Sequence, residues 1–256
     1  MNALQMRYEF INAIDAVIGQ NSAGYRDHQI STFLTQAQEE YLFDRLSQTT
    51  NNGRSTITET EMRGIGFGQL IVSSRDETTG VLTTAVSSNQ YGVKPNGKFF
   101  DLPDDIFYFL HGRVKVKFSA DHKCYLAGQS LLNVPVKTIT EDYYNANIDN
   151  PLKKPYEKMV WRLHYKKDEH FRNEIISAPY YSVDEYEIRY LRRPEPIVTA
   201  VLPASKAIDG VTIVTDCELD ASTHREIVRR AVRIAVAATT KTNDYQIKMA
   251  ENQKQN

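Results

Sequence analysis

Cys217-Glu218-Leu219-Asp220-Ala221-Ser222-Thr223-His224-Arg225-Glu226-Ile227-Val228-Arg229-Arg230-Ala231-Val232 is the stretch from which the rest of this chain can be read. Thr223 followed three positions later by Glu226 fits a capping box, so a helix is expected to open at Ser222 or Thr223. Ile227, Val228, Ala231, Val232, Ala235 and Val236 form a wide apolar stripe at helical spacing. Arg225, Arg229 and Arg233 fall on the opposite face at four-residue steps, with Arg230 adjacent. One side of this helix suits a core, and the other suits water, an acidic neighbour or phosphate. Beyond Lys241 the sequence turns polar, and residues 241–256 are expected to fray or to extend from the body.

Two further helices are expected at the other end. Residues 3–18 place Leu4, Tyr8, Ile11 and Ile18 near one face, with Phe10, Ala13, Ile14 and Val17 beside them. Gly19 to Gly24 interrupts the pattern. Asp27 is placed to cap a second helix reaching about Ser47, with Ile30, Phe33, Leu34, Ala37 and Tyr41 inward and Gln36, Glu39 and Glu40 outward. The short link makes the two an αα-hairpin.

Residues 48–98 have a different texture, rich in Thr, Ser, Asn and Gly, and read as loops with short strands such as Leu70-Ile71-Val72 and Val81-Leu82. Gly64-Ile65-Gly66-Phe67-Gly68 lacks both the Gly-Lys-Ser/Thr ending and the G-x-G-x-x-G spacing of phosphate-binding loops, and reads as a flexible loop. From Phe99 the pattern becomes β. Phe99 to Asp105 reads as a turn into a short apolar stretch, Ile106 to Leu110. Period-two alternation marks Arg113–Phe118, Lys158–Tyr165 and Asp184–Leu191. Ile208-Asp209-Gly210 is a turn signal between strand-like 197–202 and 211–215. Helices, then strands, then a helix indicate an α+β protein. An N-terminal helical hairpin and the C-terminal helix would pack with a central, mostly antiparallel β region. The chain reads as one protomer: a helical part (1–47 with 217–240), a loop-rich insertion (48–98), a β-rich part (99–216) and a polar tail (241–256).

The bulk composition excludes several classes. The 256 residues carry 31 Lys plus Arg against 32 Asp plus Glu, which argues against a protein whose main task is coating nucleic acid. No window approaches the roughly 18 apolar residues of a membrane span, and the first residues lack the pattern of a signal peptide, so a soluble protein is expected. The two cysteines, Cys124 and Cys217, imply neither a disulfide framework nor a metal site. Fifteen tyrosines against one tryptophan suit either half-buried strands or contact surfaces.

Little in the residues points to chemistry. The six histidines are scattered, and His122-Lys123-Cys124 has no second cluster with which to build a zinc site. Asp104-Asp105 and Glu39-Glu40 are adjacent pairs that would splay apart in a strand or a helix. Cys217, between a strand and a helix, reads best as a small buried hydrophobe. No G-x-S-x-G, H-E-x-x-H or P-loop is present. Neither catalysis nor a metal or cofactor is expected. Arg192-Arg193, just before Pro194, form a second basic spot.

Five stretches occur in an order that resembles the ring, or collar, proteins beneath the portal of tailed bacteriophages, the crAss-like podovirus group in particular. They are Ile30–Glu39, Phe100–Asp105, Asn147–Pro155, Tyr186–Pro194 and Cys217–Val232. The resemblance runs from about residue 30 to 240 and leaves 48–98 unmatched. It implies a virion component, assembled in the host cytoplasm, of which about twelve copies close head to tail around the DNA channel. Implied partners are the portal protein and neighbouring tail rings, with DNA only as passing cargo and no membrane. On that reading Arg192, Arg193, Arg225, Arg229 and Arg233 are candidate subunit-interface residues. Two other classes are a virion-associated accessory or assembly-chaperone protein, and an enzyme without a local motif. Oligomeric state separates the ring from both.

Overall fold

The computed structural model describes residues 1–18, 24–51, 58–74, 94–118, 130–167 and 170–254. The chain divides into two compact units, Met1–Leu70 with Pro194–Asn256, and Ile71–Arg193. The described residues form five helices and a seven-stranded, mostly antiparallel sheet, which is the expected α+β class. His122, Cys124 and the expected strand Val81-Leu82 lie outside the described residues.

The first unit is built on α1 (Ala3–Ile18), α2 (Asp27–Asn51) and α5 (His224–Lys254). Both N-terminal helices pack chiefly against α5 rather than against each other. The buried face of α1 is Ala3, Met6, Phe10 and Ile14, whereas Leu4 and Tyr8 are exposed. The expected stripe through Leu4, Tyr8 and Ile11 is thus the outer face (the Ile18 side chain lies outside the described residues). Two apolar stripes compete on α1, and periodicity alone does not say which one a neighbour covers. On α2 the expected residues Ile30, Leu34, Ala37 and Tyr41 are buried, and Phe33 stacks on Phe10. Asp27 is the first helical residue; it pairs with Arg7 of α1 at 2.6 Å, and the Arg26 carbonyl accepts the first helical hydrogen bonds. The helix continues past Ser47 to Asn51.

Three polar residues of α2, Ser31, Thr35 and Gln38, are also buried, and all three bond an extended segment at 195–199. The Thr199 N–H donates to Ser31 Oγ at 3.0 Å, the Ile197 N–H to Thr35 Oγ1 at 3.1 Å, and Gln38 Nε2 to the Glu195 carbonyl at 3.0 Å. Two strand residues advance about 6.6 Å, and four helical residues about 6 Å, so alternate strand residues meet successive turns. Val198, between them, exchanges hydrogen bonds with Thr215 on its other edge. Pro196 sits on that same edge, where α2 needs no N–H from it. The segment returns through Ile208–Val211, with Asp209 at φ 47° and Gly210 at φ 83°, the type I′ turn that the sequence signals.

The glycine-rich stretch turns at Ile65-Gly66 and enters a short 3-10 helix, Gly68–Leu70. It follows α3 (Glu59–Gly64), whose Thr58–Glu61 capping box is fully formed. Gly66 adopts φ +95°, and a Cβ there would lie 3.1 Å from the Asp220 Cβ. Phe67, fully buried, meets the Tyr41 ring edge-on at 6.1 Å.

The second unit is the sheet, in the order β1-β7-β3-β4-β5-β6-β2. Its strands are β1 (Ile71–Ser73), β2 (Gly97–Asp101), β3 (Ile106–Phe118), β4 (Ser130–Thr138), β5 (Val160–Lys167), β6 (His170–Ile176) and β7 (Tyr181–Arg192). The stretches expected separately at Ile106–Leu110 and Arg113–Phe118 are one strand, bent by shifts in its register with β7. Pro135 marks a handover in β4: residues 130–135 pair with β3, and 136–138 pair with β5. The β4–β5 pair is parallel, and it is joined by a crossover containing α4 (Glu141–Asn147), as parallel pairing requires.

The crossover makes the sheet two-faced. Val160, Ile175, Val114, Tyr186 and Ile188 belong to a core on one face. Trp161, Leu163 and Ile176 pack with Ile139 and Tyr144 on the other. The expected in–out alternation of β5 therefore fails at Val160 to Leu163, where both sides are buried. In β7 it holds, with Tyr186, Ile188 and Tyr190 buried. Gly112 admits Tyr186, since a Cβ there would lie 3.0 Å from that ring.

Thr35→Val keeps the shape of the side chain but orphans the buried Ile197 N–H. Denaturant unfolding is expected to show a loss of about 1–3 kcal/mol.

Candidate subunit interface

The helix that carries the arginines is anchored before it begins. Thr223 Oγ1 donates to the Asp220 carbonyl at 2.8 Å, and His224, buried at the first helical position, bonds the Leu219 carbonyl through Nε2 at 2.9 Å. The expected capping box does not form in that way. Glu226 reaches forward to Arg230 at 3.2 Å and to Arg233 at 3.8 Å. A cation one turn ahead is a better partner for the carboxylate than the neutral cap N–H. Ile227, Val228, Ala231, Val232 and Ala235 are buried as expected. The backbone stays helical to Lys254, through the segment expected to fray.

The arginines divide into two kinds. Arg225, Arg229 and Arg233 are exposed over about 12 Å of helix. Arg225 lies 3.9 Å from Glu9, with its side chain 78% exposed, and Arg233 is 74% exposed. Such pairs contribute little in water. Arg229 has no ion pair among the described residues. Arg230 is different: only 17% exposed, it bonds Asp44 and Glu226 and lies over the Tyr41 ring at 5.3 Å, which ties α5 to α2. The sequence places it beside the ridge; the structure turns it inward.

Arg192 and Arg193 belong to the other unit, at the end of β7. Arg192 is half-buried and pairs in register with Ile106; Arg193 is exposed, and its N–H donates to the Asp105 carbonyl at 2.7 Å.

Exposed apolar side chains accompany the arginines in the first unit. Leu4 and Tyr8 stand on the outer face of α1, Phe43 stands on α2, and Val201, Ile213 and Val214 stand on the arm that carries the type I′ turn. The only signal for them in the sequence was alternation, which marks two faces without telling which is left bare.

Titratable groups elsewhere are absorbed by packing. Glu174, buried in β6, accepts the Lys94 N–H at 2.9 Å, and the single Tyr165 hydroxyl proton is shared between Glu174 at 3.1 Å and Glu141 at 3.0 Å. Burial raises the Glu174 carboxyl above the usual range, against hydrogen bonds that lower it, and burial likewise raises Tyr165. Cys217 Sγ donates to Gln38 Oε1 at 3.3 Å, and burial pushes its thiol up to about 11. His164 donates through Nδ1 to Asn173 at 2.9 Å. Among the described residues no group of three His, Cys, Asp or Glu side chains could hold a metal ion, and no helix is long and apolar enough to cross a membrane.

The first unit thus carries an exposed basic ridge on α5 and exposed apolar side chains on α1, α2 and the hairpin arm. The chain belongs to the phage tail ring protein 3/4 family, whose model matches residues 1–246. It is 28% identical over 241 residues to "Ring protein 4/5" of Bacteroides phage crAss001, covering 93% of each chain. It is 32% identical over 216 residues to "Ring protein 3" of the same phage, covering 84% of this chain and 86% of that one. The resemblance read from the five stretches is therefore correct. The family match also runs through residues 48–98, which the sequence reading left unmatched. The protein is a structural component of a phage tail.

Arg230→Ala removes a tie between helices and is expected to cost about 1–2 kcal/mol by denaturant unfolding, whereas Arg229→Ala should stay within about 0.5 kcal/mol of the parent. In a Cys124→Ser background, Cys217 is expected to resist Ellman's reagent at pH 8 until the chain is unfolded, because only about one thiol in a thousand is ionised.

Proposed function

We propose that copies of this chain close into a ring beneath the portal, connecting capsid to tail and enclosing the DNA channel. The observation that carries this reading is the near-full-length match to two different ring proteins of one phage. A common protomer design in successive rings would place copies of this chain against other tail ring proteins as well as against each other, with the portal protein as a further partner. The ring would hold about twelve subunits, to match a portal, through a heterologous interface whose rotation closes.

Such an interface needs two unlike faces on each protomer. In the first unit the ridge Arg225–Arg229–Arg233 supplies a basic one, and the exposed side chains of α1, α2 and the hairpin arm supply apolar ones. Arg192 and Arg193 are candidate contacts in the second unit. A guanidinium fork gains most when an acidic partner covers it, which the helix leaves possible at all three positions of the ridge. The near-neutral balance of 31 basic to 32 acidic residues suits a channel that passes DNA without gripping phosphate.

Negative-stain electron microscopy of the protein, alone and mixed with portal-bearing particles, tests the reading. A closed ring of about twelve subunits in either sample is expected; only monomers or small oligomers in both would remove it. Arg225→Glu with Arg229→Glu should leave the melting temperature within a few degrees of the parent while abolishing ring closure. Rings that form unchanged would show the ridge to be merely solvated.

A further inference from the structure

Arg162 is a buried cation with no counter-ion among the described residues. Its side chain comes from β5 on the face of the Tyr186 core, and the residue is 7% exposed. Its Nη2 donates to Thr138 Oγ1 at 2.5 Å and its Nη1 to the Tyr186 hydroxyl at 3.4 Å. The Phe109 ring lies 3.4 Å from the guanidinium carbon. No carboxylate is within ion-pair distance of it among the described residues, and its buried Nε has no hydrogen-bond partner. A guanidinium carries five N–H donors, so most of its capacity is unused. Desolvating a charge in this way is costly unless an anion completes the site.

The guanidinium opens on a cavity of about 370 Å³. Leu102, Ile106, Phe107, Phe109 and Phe171 make its walls apolar, and Thr138 and His164 are the other polar residues on it. The surroundings hold Arg162 in place. Asn173 Nδ2 donates to the same Tyr186 hydroxyl at 3.0 Å, and Asn173 Oδ1 accepts from His164, whose ring stacks on Phe171 at 5.2 Å. The Tyr186 oxygen therefore receives two donors and offers the cation no negative charge.

We propose that this cavity binds a carboxylate carried on an apolar body, with Arg162 as its counter-ion. The volume falls within the range of small-ligand sites. One cation balances one carboxylate, and the planar fork matches its two oxygens. A phosphate dianion would remain half-neutralised against apolar walls. The carboxylate can come from a free small acid or from an Asp or Glu side chain of a neighbouring subunit. Neither source depends on the arginine ridge of α5.

Hexanoate is the probe, titrated into the full chain by calorimetry and by thermal shift, with hexanol and inorganic phosphate as controls. Saturable hexanoate binding that raises the melting temperature is expected, with neither from the controls. Arg162→Met should weaken binding at least tenfold. Ile106→Trp, which fills the cavity from a wall residue that makes none of the guanidinium's hydrogen bonds, should abolish it and serves as the test if Arg162→Met does not fold. Absence of saturable hexanoate binding, equal binding of phosphate, or binding unchanged in both variants would overturn the proposal. Repeating the titration on assembled particles separates the sources. Binding to free subunits alone identifies a neighbour's carboxylate as occupant, and binding to both states identifies a free acid.

Discussion

An extended segment that pairs with no strand on one edge must have those backbone groups satisfied elsewhere, and in this protein a helix does it. Ser31, Thr35 and Gln38 of α2 bond Thr199, Ile197 and Glu195 in turn. The match works because one helical turn and two strand residues cover nearly the same distance. The rest of the helical unit follows from this contact. It places the segment leading into Cys217, whose thiol closes on Gln38, and that segment delivers the chain to His224, where α5 begins. The core stripe of α5 is then covered by α1 and α2, and its arginine face is left outward.

The sheet unit depends on a comparable handover. Pro135 lacks the N–H that a continuous ladder would use, and at that point β4 exchanges its β3 partner for β5. Parallel pairing requires a crossover, and the crossover brings Tyr144 of α4 onto Trp161. A second core results, so β5 and β6 are buried on both faces. Polar groups are carried inside on both faces as a consequence. On one, Glu174 has the Lys94 N–H and the Tyr165 hydroxyl as partners; on the other, Arg162 has no carboxylate partner among the described residues.

How far the fold was legible varies by element. The three long helices were readable because each carries an apolar stripe several turns long. β7 and the second half of β3 were readable because their alternation is regular. Four elements left no usable pattern. α4 is seven residues long, too short for a periodicity. α3 is shorter still, and only its Thr58–Glu61 box could have announced it. β4 carries a proline, and β6, His-Phe-Arg-Asn-Glu-Ile-Ile, alternates poorly because both of its faces are buried. Of the candidate interface, Arg225, Arg229 and Arg233 were visible from spacing, and the inward turn of Arg230 was not, since it depends on Asp44 and Tyr41 almost two hundred positions away in sequence.

The sequence by itself determined the α+β class, the amphipathic C-terminal helix with its arginine ridge, a turn at Asp209-Gly210 and the kinship with phage tail ring proteins. Each of these rests on local chemistry: a repeat, a turn residue, or an ordered set of short motifs. Only the tertiary structure decided which apolar stripe of α1 is core, which arginine is structural, and that Arg162 stands buried with no counter-ion among the described residues. These depend on what lies across from a residue, and burial and charge compensation are set by neighbours that are distant in sequence.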